Sequence, residues 1–174
     1  LSQAIDENIK AVIYKGRFNY ICKIRLERLI SNHNKILKPD EYEAIIPLLV
    51  WEWETRTGDI NECNGFQMYK YKRLWSLVRS ERGFCSTNRC GKYDGCYLGN
   101  LRNRVKDADI IIVNHSLFAN ELQRDNTCLP DDFIYVIDEA HHFATVIREQ
   151  LTTEFSIFSF NDVFQYFNYN KQNW

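Results

Sequence analysis

The chain has 174 residues, 45% of them hydrophobic, and a formal net charge of −1. This is enough apolar material for the core of one globular domain or parts of two. No run of eighteen apolar residues and no secretory signal are recognisable, so we expect neither a membrane-spanning helix nor export.

The near-neutral net charge conceals two regions of opposite sign. Residues 1–106 contain 19 Lys/Arg against 12 Asp/Glu, whereas residues 107–174 contain 3 against 11. Within the first region, residues 67–106 interleave ten basic side chains with aromatic ones, among them Tyr69, Tyr71, Trp75, Tyr93 and Tyr97. Basic groups that follow phosphates and aromatic faces that stack on bases are typical of single-stranded nucleic-acid binding. A solvated helix face over an aromatic core would give the same composition.

Hydrophobic periodicity predicts one strand and several helices in the first half of the chain. Pro47 lies inside a helical pattern and is expected to kink that helix or to move its start. The predicted elements are the end of an amphipathic helix over 1–10, a strand over 11–14, and helices over 21–30, 39–53 and 68–82.

The second half predicts a parallel βαβ unit. An irregular loop over 84–95 and a helix over 96–108 precede an apolar strand over 109–113. Asn114 fits the N-cap of a following helix, and a second apolar strand is predicted over 133–137. Two all-apolar strands joined by a helix are typical of an α/β fold with a buried parallel sheet.

The second predicted strand leads directly into a group of chemically active side chains. Asp138, Glu139, His141 and His142 follow it, where α/β proteins place their sites. Asp at this position holds Mg²⁺, usually through water, and the next Glu orients or deprotonates a water that attacks a nucleoside triphosphate. This is a Walker B box in its DEAH form. The alternative is an acidic helix N-terminus that complements the helix dipole without catalysis.

Cysteine spacing predicts a metal site rather than disulfides, since the chain shows no sign of secretion and is too large to need cross-links. Cys85, Cys90 and Cys96 lie on one loop, separated by four and five residues. Zinc usually takes thiolates with two to four residues between them, so the wider spacing favours an iron–sulfur cluster, with zinc or unrelated buried thiols as alternatives. Cys22 is preferred to Cys63 as the fourth ligand. The remaining cysteine, Cys128, is predicted to be a small apolar filler.

Four motifs occur in a fixed order along residues 11–142. They are Lys15-Gly16-Arg17-x-Asn19-Tyr20-x-Cys22, the three-cysteine loop, Val113-Asn114-His115-Ser116-Leu117 and Asp138-Glu139-Ala140-His141. In this combination the sequence resembles the iron–sulfur superfamily 2 helicases of the XPD/DinG group, and most of all their bacterial DinG branch.

The resemblance implies a partial RecA-like parallel sheet, carrying the Walker B βαβ part, with a mainly helical inserted iron–sulfur domain. Residues 1–20 and 101–150 would belong to helicase domain 1 and residues 21–100 to the insertion. Residues 151–174 would begin a second, arch-like insertion.

The resemblance also implies roles for individual residues. Cys22, Cys85, Cys90 and Cys96 would hold a [4Fe–4S] cluster. Asp138 would bind Mg²⁺, Glu139 would activate the attacking water, and His141 would link ATP hydrolysis to DNA movement. Lys15 and Arg17 are expected to border the DNA path or the cluster, and Lys70, Lys72 and Arg73 of the basic helix are expected to contact DNA.

The implied partners are single-stranded and forked DNA, on which such helicases move 5′→3′, and the rest of the helicase chain. We expect a cytoplasmic, nucleoid-associated protein with no membrane partner and no required oligomer.

Two parts of such a motor are missing from the sequence. It has no Gly-x4-Gly-Lys-Ser/Thr phosphate loop and no second motor domain, so the chain alone is not expected to hydrolyse ATP. A second hypothesis is a non-catalytic, zinc-stabilised module that binds nucleic acid or protein and uses the DEAH segment only as scaffold.

Overall fold

The computed structural model describes residues 8–81, 83–85, 90, 95–123, 128–130 and 133–152. Within these residues the fold is mixed α/β, with a two-stranded parallel sheet and several helices. The predicted helix over 1–10, most of the 84–95 loop and the predicted arch-like segment lie largely outside the described residues. No helix of the described part of the chain is both long and apolar enough to cross a membrane.

The helices account for most of the regular structure. In chain order they are α1 (Lys23–Ser31), α2 (His33–Ile36), α3 (Glu41–Ala44), α4 (Ile46–Glu54), α5 (Lys72–Val78), α6 (Tyr97–Lys106), α7 (His115–Leu122) and α8 (Ala140–Leu151), with 3₁₀ turns at Arg17–Asn19 and Ile60–Glu62.

The sheet joins two distant parts of the chain. Strand β1 (Ala11–Tyr14) pairs in parallel with β2 (Ile110–Val113), with Ala11 opposite Ile110 and Tyr14 opposite Val113. Val12 and Tyr14 form a small core with the apolar face of α6, including the fully buried Val105. The pairing therefore closes a loop that contains the whole helical region.

A second, larger core lies within that helical region. Helices α1 and α5 pack together, and Leu48, Leu74 and Val78 have no exposed surface. Burying a Leu or Val side chain stabilises a fold by about 1.5–3 kcal/mol, so this core is the main source of stability for residues 21–78. Trp75 ties it to the preceding turn, since its indole N–H donates to the Phe18 carbonyl over 3.0 Å.

Most of the predicted elements are confirmed, with shifted boundaries. The strand over 11–14 is present as predicted, and Pro47 lies in the first turn of α4, which starts a new helix after α3. The basic helix is shorter than predicted: residues 68–70 form a turn, Tyr71 is the N-cap residue, and α5 begins only at Lys72.

The predicted buried strand over 133–137 is wrong for this structure. These residues form no strand, and Ile134 and Val136 are 93% and 91% exposed. A groove of about 340 Å³ lies between β2 and this segment. An all-apolar strand needs hydrogen-bonded neighbours and covering layers, and none of the described residues fills the groove.

Candidate functional site

Cys22 is buried at the start of α1, where the helical region meets the sheet region. Its backbone N–H donates to the Val78 carbonyl over 2.8 Å, which fixes it against the end of α5. Burial raises the pKa of the Cys22 thiol, the backbone N–H of Arg25 lowers it, and the nearby thiols of Cys85 and Cys90 raise it further. The structure thus places Cys22 within electrostatic reach of two of the predicted ligands.

The third predicted ligand of the loop, Cys96, is at the same place. Cys96 is the N-cap residue of α6, and it lines one small cavity together with Cys22, Cys90 and Gly95. All four cysteines named as ligands therefore gather at one end of the helical region, although Cys85, Cys90 and Cys96 come from a distant part of the chain.

The described cysteine sulfurs are not grouped as closely as the thiolates of a complete zinc site. With Zn–S bonds of about 2.3 Å, tetrahedral thiolates lie about 3.8 Å from one another. Among the described residues, no three cysteine sulfurs all lie within 4.8 Å of one another. No trio of cysteines in the described part of the chain is therefore arranged as ligands of one zinc ion.

The remaining cysteines lie elsewhere. Cys63 is buried in the helical core, with its sulfur 3.7 Å from the Pro47 carbonyl oxygen. Cys128 packs against the sheet core, and its backbone N–H donates to the buried Glu121 over 2.8 Å. Both positions agree with roles as core fillers.

Contacts through one carboxylate join the residues that follow Cys22 and Cys96 in the chain. The sequence did not predict them. Lys23, next to Cys22, pairs with Glu52 of α4 at 3.2 Å. Tyr97, next to Cys96, donates its hydroxyl hydrogen to the same carboxylate at 3.1 Å, and the Lys23 ammonium lies 4.8 Å from the Tyr97 ring centre. The only sequence signal was adjacency to the cysteines, because Glu52 lies far from both in the chain.

The carboxylates of the DEAH segment face solvent. Asp138 accepts a hydrogen bond from the Glu139 backbone N–H at 2.9 Å, and its carbonyl lies 2.9 Å from the His115 ring. Glu139, the N-cap of α8, has a left-handed backbone with φ of 48°. This conformation costs a non-glycine residue about 1–2 kcal/mol and is concentrated at functional sites.

The histidines of this segment lie beside Glu139 rather than Asp138. One ring nitrogen of His141 is 3.4 Å from the Glu139 carboxylate, and the His141 and His142 ring centres are 4.0 Å apart. Ligand atoms of Glu139, His141 and His142 all lie within 4.8 Å of one another, whereas Asp138, the predicted Mg²⁺ ligand, is outside that group.

The five basic residues expected to contact DNA differ in their surroundings. Lys15 forms an ion pair with Asp59, and Arg73 forms one with the buried Glu41 at 2.5 Å. Arg17 lies in the 3₁₀ turn between β1 and Cys22. The remaining two are both exposed: Lys70 lies in the turn before α5, and Lys72 is the first residue of α5.

Comparison with known proteins places this arrangement in context. A family model described as DEAD_2 matches residues 83–159, which include three of the gathered cysteines and the DEAH segment. The chain is 28% identical over 153 residues to the ATP-dependent DNA helicase YoaA of Escherichia coli, a match that covers 86% of the chain. The chain is similar to part of a DinG-like helicase.

Other proteins that are similar to the chain carry the DinG name. It is 30% identical over 146 residues to the 3′-5′ exonuclease DinG of Bacillus subtilis, covering 82% of the chain. It is 25% identical over 167 residues to the ATP-dependent helicase DinG of Mycobacterium tuberculosis H37Ra, covering 88%. The chain spans only 24%, 15% and 25% of the lengths of these three relatives.

Proposed function

We propose that this chain is the iron–sulfur and Walker B part of an ATP-dependent 5′→3′ DNA helicase of the DinG type. The observation that carries the proposal is the gathering of Cys22, Cys85, Cys90 and Cys96 at one place in a chain whose relatives are DinG and YoaA proteins. Residues 21–100 form the inserted domain in this proposal, residues 1–20 and 101–150 belong to helicase domain 1, and residues 151–174 begin the arch-like insertion.

The four cysteines hold a [4Fe–4S] cluster in this proposal. When bound, the cluster supplies a rigid four-point cross-link. Cys22 and Cys96 come from opposite ends of the helical region, so holding them together closes a long loop and reduces the entropy that folding must overcome. Cys22 lines the shared cavity, and the backbone N–H groups of Ile24 and Arg25 in α1 interact with its sulfur.

The DEAH segment contributes one wall of an ATP site. Asp138 binds Mg²⁺, Glu139 activates the attacking water, and His141 transmits hydrolysis to DNA movement. The phosphate loop and the second motor domain come from the rest of the helicase, so this chain alone does not hydrolyse ATP. The whole protein works in the cytoplasm, at the nucleoid, on single-stranded and forked DNA.

Lys70 and Lys72 are the strongest of the proposed DNA contacts. Both are exposed, whereas Lys15 and Arg73 each neutralise a carboxylate within the fold. Each lysine that neutralises a phosphate releases a counterion, so replacing both Lys70 and Lys72 with Gln should weaken single-stranded DNA binding and lower the slope of its salt dependence by about 1.4. An Arg28→Gln variant, which changes an exposed cation on another helix, is the control. If both variants lost the same affinity for single-stranded DNA, Lys70 and Lys72 would not be specific DNA contacts.

Metal analysis tests the cluster. Protein purified without oxygen should contain about four irons and four sulfides per chain, and Ser in place of Cys22, Cys85, Cys90 or Cys96 should reduce both. Cys128→Ser is the matched control, because Cys128 is also partly buried but lies at the sheet core. One zinc and no iron in anaerobic protein would instead support the zinc-stabilised module.

A second experiment tests the hydrolytic site in the full-length helicase. Glu139→Gln should abolish DNA-stimulated ATP hydrolysis and unwinding while leaving ATP and single-stranded DNA binding intact, because the amide keeps the shape of the side chain but cannot act as a base. A matched change of Glu149, on the same helix α8, should leave hydrolysis at the wild-type rate. Full hydrolysis by the Glu139→Gln protein would remove this residue from the mechanism.

A further inference from the structure

The side chain of Arg25 connects the two halves of the proposed cluster site. Arg25 lies one turn into α1, three residues after Cys22, and only 15% of its side chain is exposed. Such a long cation is rarely buried unless all its donors are engaged, so its partners indicate what it holds.

The guanidinium group of Arg25 binds the end of α5. Its Nε donates to the Leu77 carbonyl at 3.0 Å, and its two terminal nitrogens donate to the carbonyls of Ser76 at 2.7 Å and Arg79 at 3.0 Å. The last carbonyls of a helix have no partner within the helix, and a cation also complements the negative end of the helix dipole. One side chain thus satisfies three carbonyls within four consecutive residues.

The same group also holds the segment that leads to Cys85. A terminal nitrogen of Arg25 donates to the Glu81 carboxylate at 2.7 Å, and the guanidinium carbon lies 5.4 Å from the centre of the Phe84 ring. The Glu81 carbonyl in turn accepts the backbone N–H of Cys85 at 3.1 Å. Arg25 is therefore two contacts away from the Cys85 backbone.

Cys22 is attached to the same segment from the other side. Its backbone N–H donates to the Val78 carbonyl, which lies between the Leu77 and Arg79 carbonyls that Arg25 binds. The distance between Cys22 and the Cys85 arm is thus set by residues 76–81, and Arg25 fixes that segment in place.

We propose that Arg25 is a positioning residue for the iron–sulfur cluster: it holds the Cys85 arm against the helix that carries Cys22, so that the two thiols are in place before the cluster binds. The role rests on the cluster of the proposed function. Lys is not an adequate replacement, because an ammonium group cannot reach three carbonyls and a carboxylate with planar, divergent donors.

The test compares Arg25→Lys with two controls in the full 174-residue chain, purified and reconstituted without oxygen. Arg28→Lys makes the same chemical change at an exposed position of α1. Leu48→Val removes a methylene from the helical core, away from the cysteines, and supplies a variant that is destabilised without losing any Arg25 contact. The readouts are iron and sulfide per chain, the rate at which a chelator bleaches the visible absorbance of the cluster, and the urea midpoint of the metal-free protein.

We expect Arg25→Lys to lose the cluster to the chelator about tenfold faster or more, because removing an outer partner of metal ligands typically lowers metal affinity by about 10–100-fold. Arg28→Lys should match the wild type, and Leu48→Val should lower the urea midpoint but keep the wild-type bleaching rate. Equal bleaching rates for Arg25→Lys and Leu48→Val would reduce Arg25 to an ordinary helix cap and overturn the proposal. Wild-type protein without iron would overturn the cluster itself, and wild-type behaviour of Arg25→Lys with a full cluster bound would overturn only the role of Arg25.

Discussion

Replacing Gly58 with Ala tests how firmly the structure holds the residue after Cys96. Gly58 has φ of +67°, and a Cβ built there would lie 2.6 Å from Cδ2 and 2.8 Å from Cβ of Tyr97. Carbon atoms in contact prefer about 3.5–4.0 Å, so either the ring or the turn must move. Tyr97 is only 7% exposed and its hydroxyl donates to Glu52, so the ring has nowhere to go without pulling on Cys96.

Two effects should lower the free energy of unfolding of the Gly58→Ala variant. A left-handed backbone costs Ala about 1–2 kcal/mol relative to Gly. Crowding a packed site costs a further amount of about 1–3 kcal/mol. Gly83 separates these effects, because it has φ of +83° but no atom of the described residues lies within 4 Å of the position that a Cβ would occupy there. Gly83→Ala should therefore show only the backbone cost.

Urea denaturation followed by tryptophan fluorescence measures both variants. Trp51 and Trp75 are buried in the helical core and report its unfolding. Gly58→Ala should lower the free energy of unfolding by about 1–3 kcal/mol more than Gly83→Ala does. If the two variants lost equal amounts of unfolding free energy, the Tyr97 ring would have moved without cost. That result would refute our inference that the ring is held in place beside Cys96 at the start of α6.

Three further changes probe other contacts. Leu48→Ala should lower the free energy of unfolding by about 2–5 kcal/mol in the same assay, since Leu48 has no exposed surface, and a loss below about 1 kcal/mol would contradict its place in the core. Arg73→Met should cost roughly 1–3 kcal/mol by leaving the Glu41 carboxylate buried without its cation, and adding Glu41→Gln should recover part of that loss. Hydrogen bonding to Arg25 lowers the pKa of Glu81 from its ordinary value, so its stabilising contribution is present above that value and lost as the pH falls through the lowered pKa. In a Glu81→Gln variant, the free energy of unfolding should therefore fall less steeply as the pH is lowered into the acidic range. An unchanged dependence on pH would rule out a stabilising contact between Arg25 and Glu81.

Local patterns in the sequence were enough to predict elements whose partners are close by or whose ends carry strong signals. Asn114 is an example: it caps α7 by accepting the Leu117 backbone N–H at 2.8 Å, and that bond needs only residues three apart. The position of Pro47 at the start of α4 follows equally from proline's missing N–H.

Contacts between distant residues could not be predicted in this way. The partners of Arg25 lie 51–56 positions further along the chain, and nothing in the spacing of Ser76, Leu77 or Glu81 points back to it. The 133–137 segment shows the opposite problem. Its all-apolar composition predicts a buried strand, but a strand is buried only where neighbouring strands and covering layers are present. The sequence of the segment alone does not supply those neighbours.

The groove beside β2 also determines how the isolated chain should behave in solution. Phe133 to Ile137 combine aromatic and β-branched side chains without a charge, the composition of segments that pair between molecules and nucleate fibrils. With Ile134 and Val136 exposed, the chain should bind hydrophobic dyes and self-associate as its concentration rises. Val136→Lys should then improve solubility in the isolated chain, while the same lysine should destabilise a longer protein whose own strand fills the groove. A single substitution would thus have opposite effects in the two contexts.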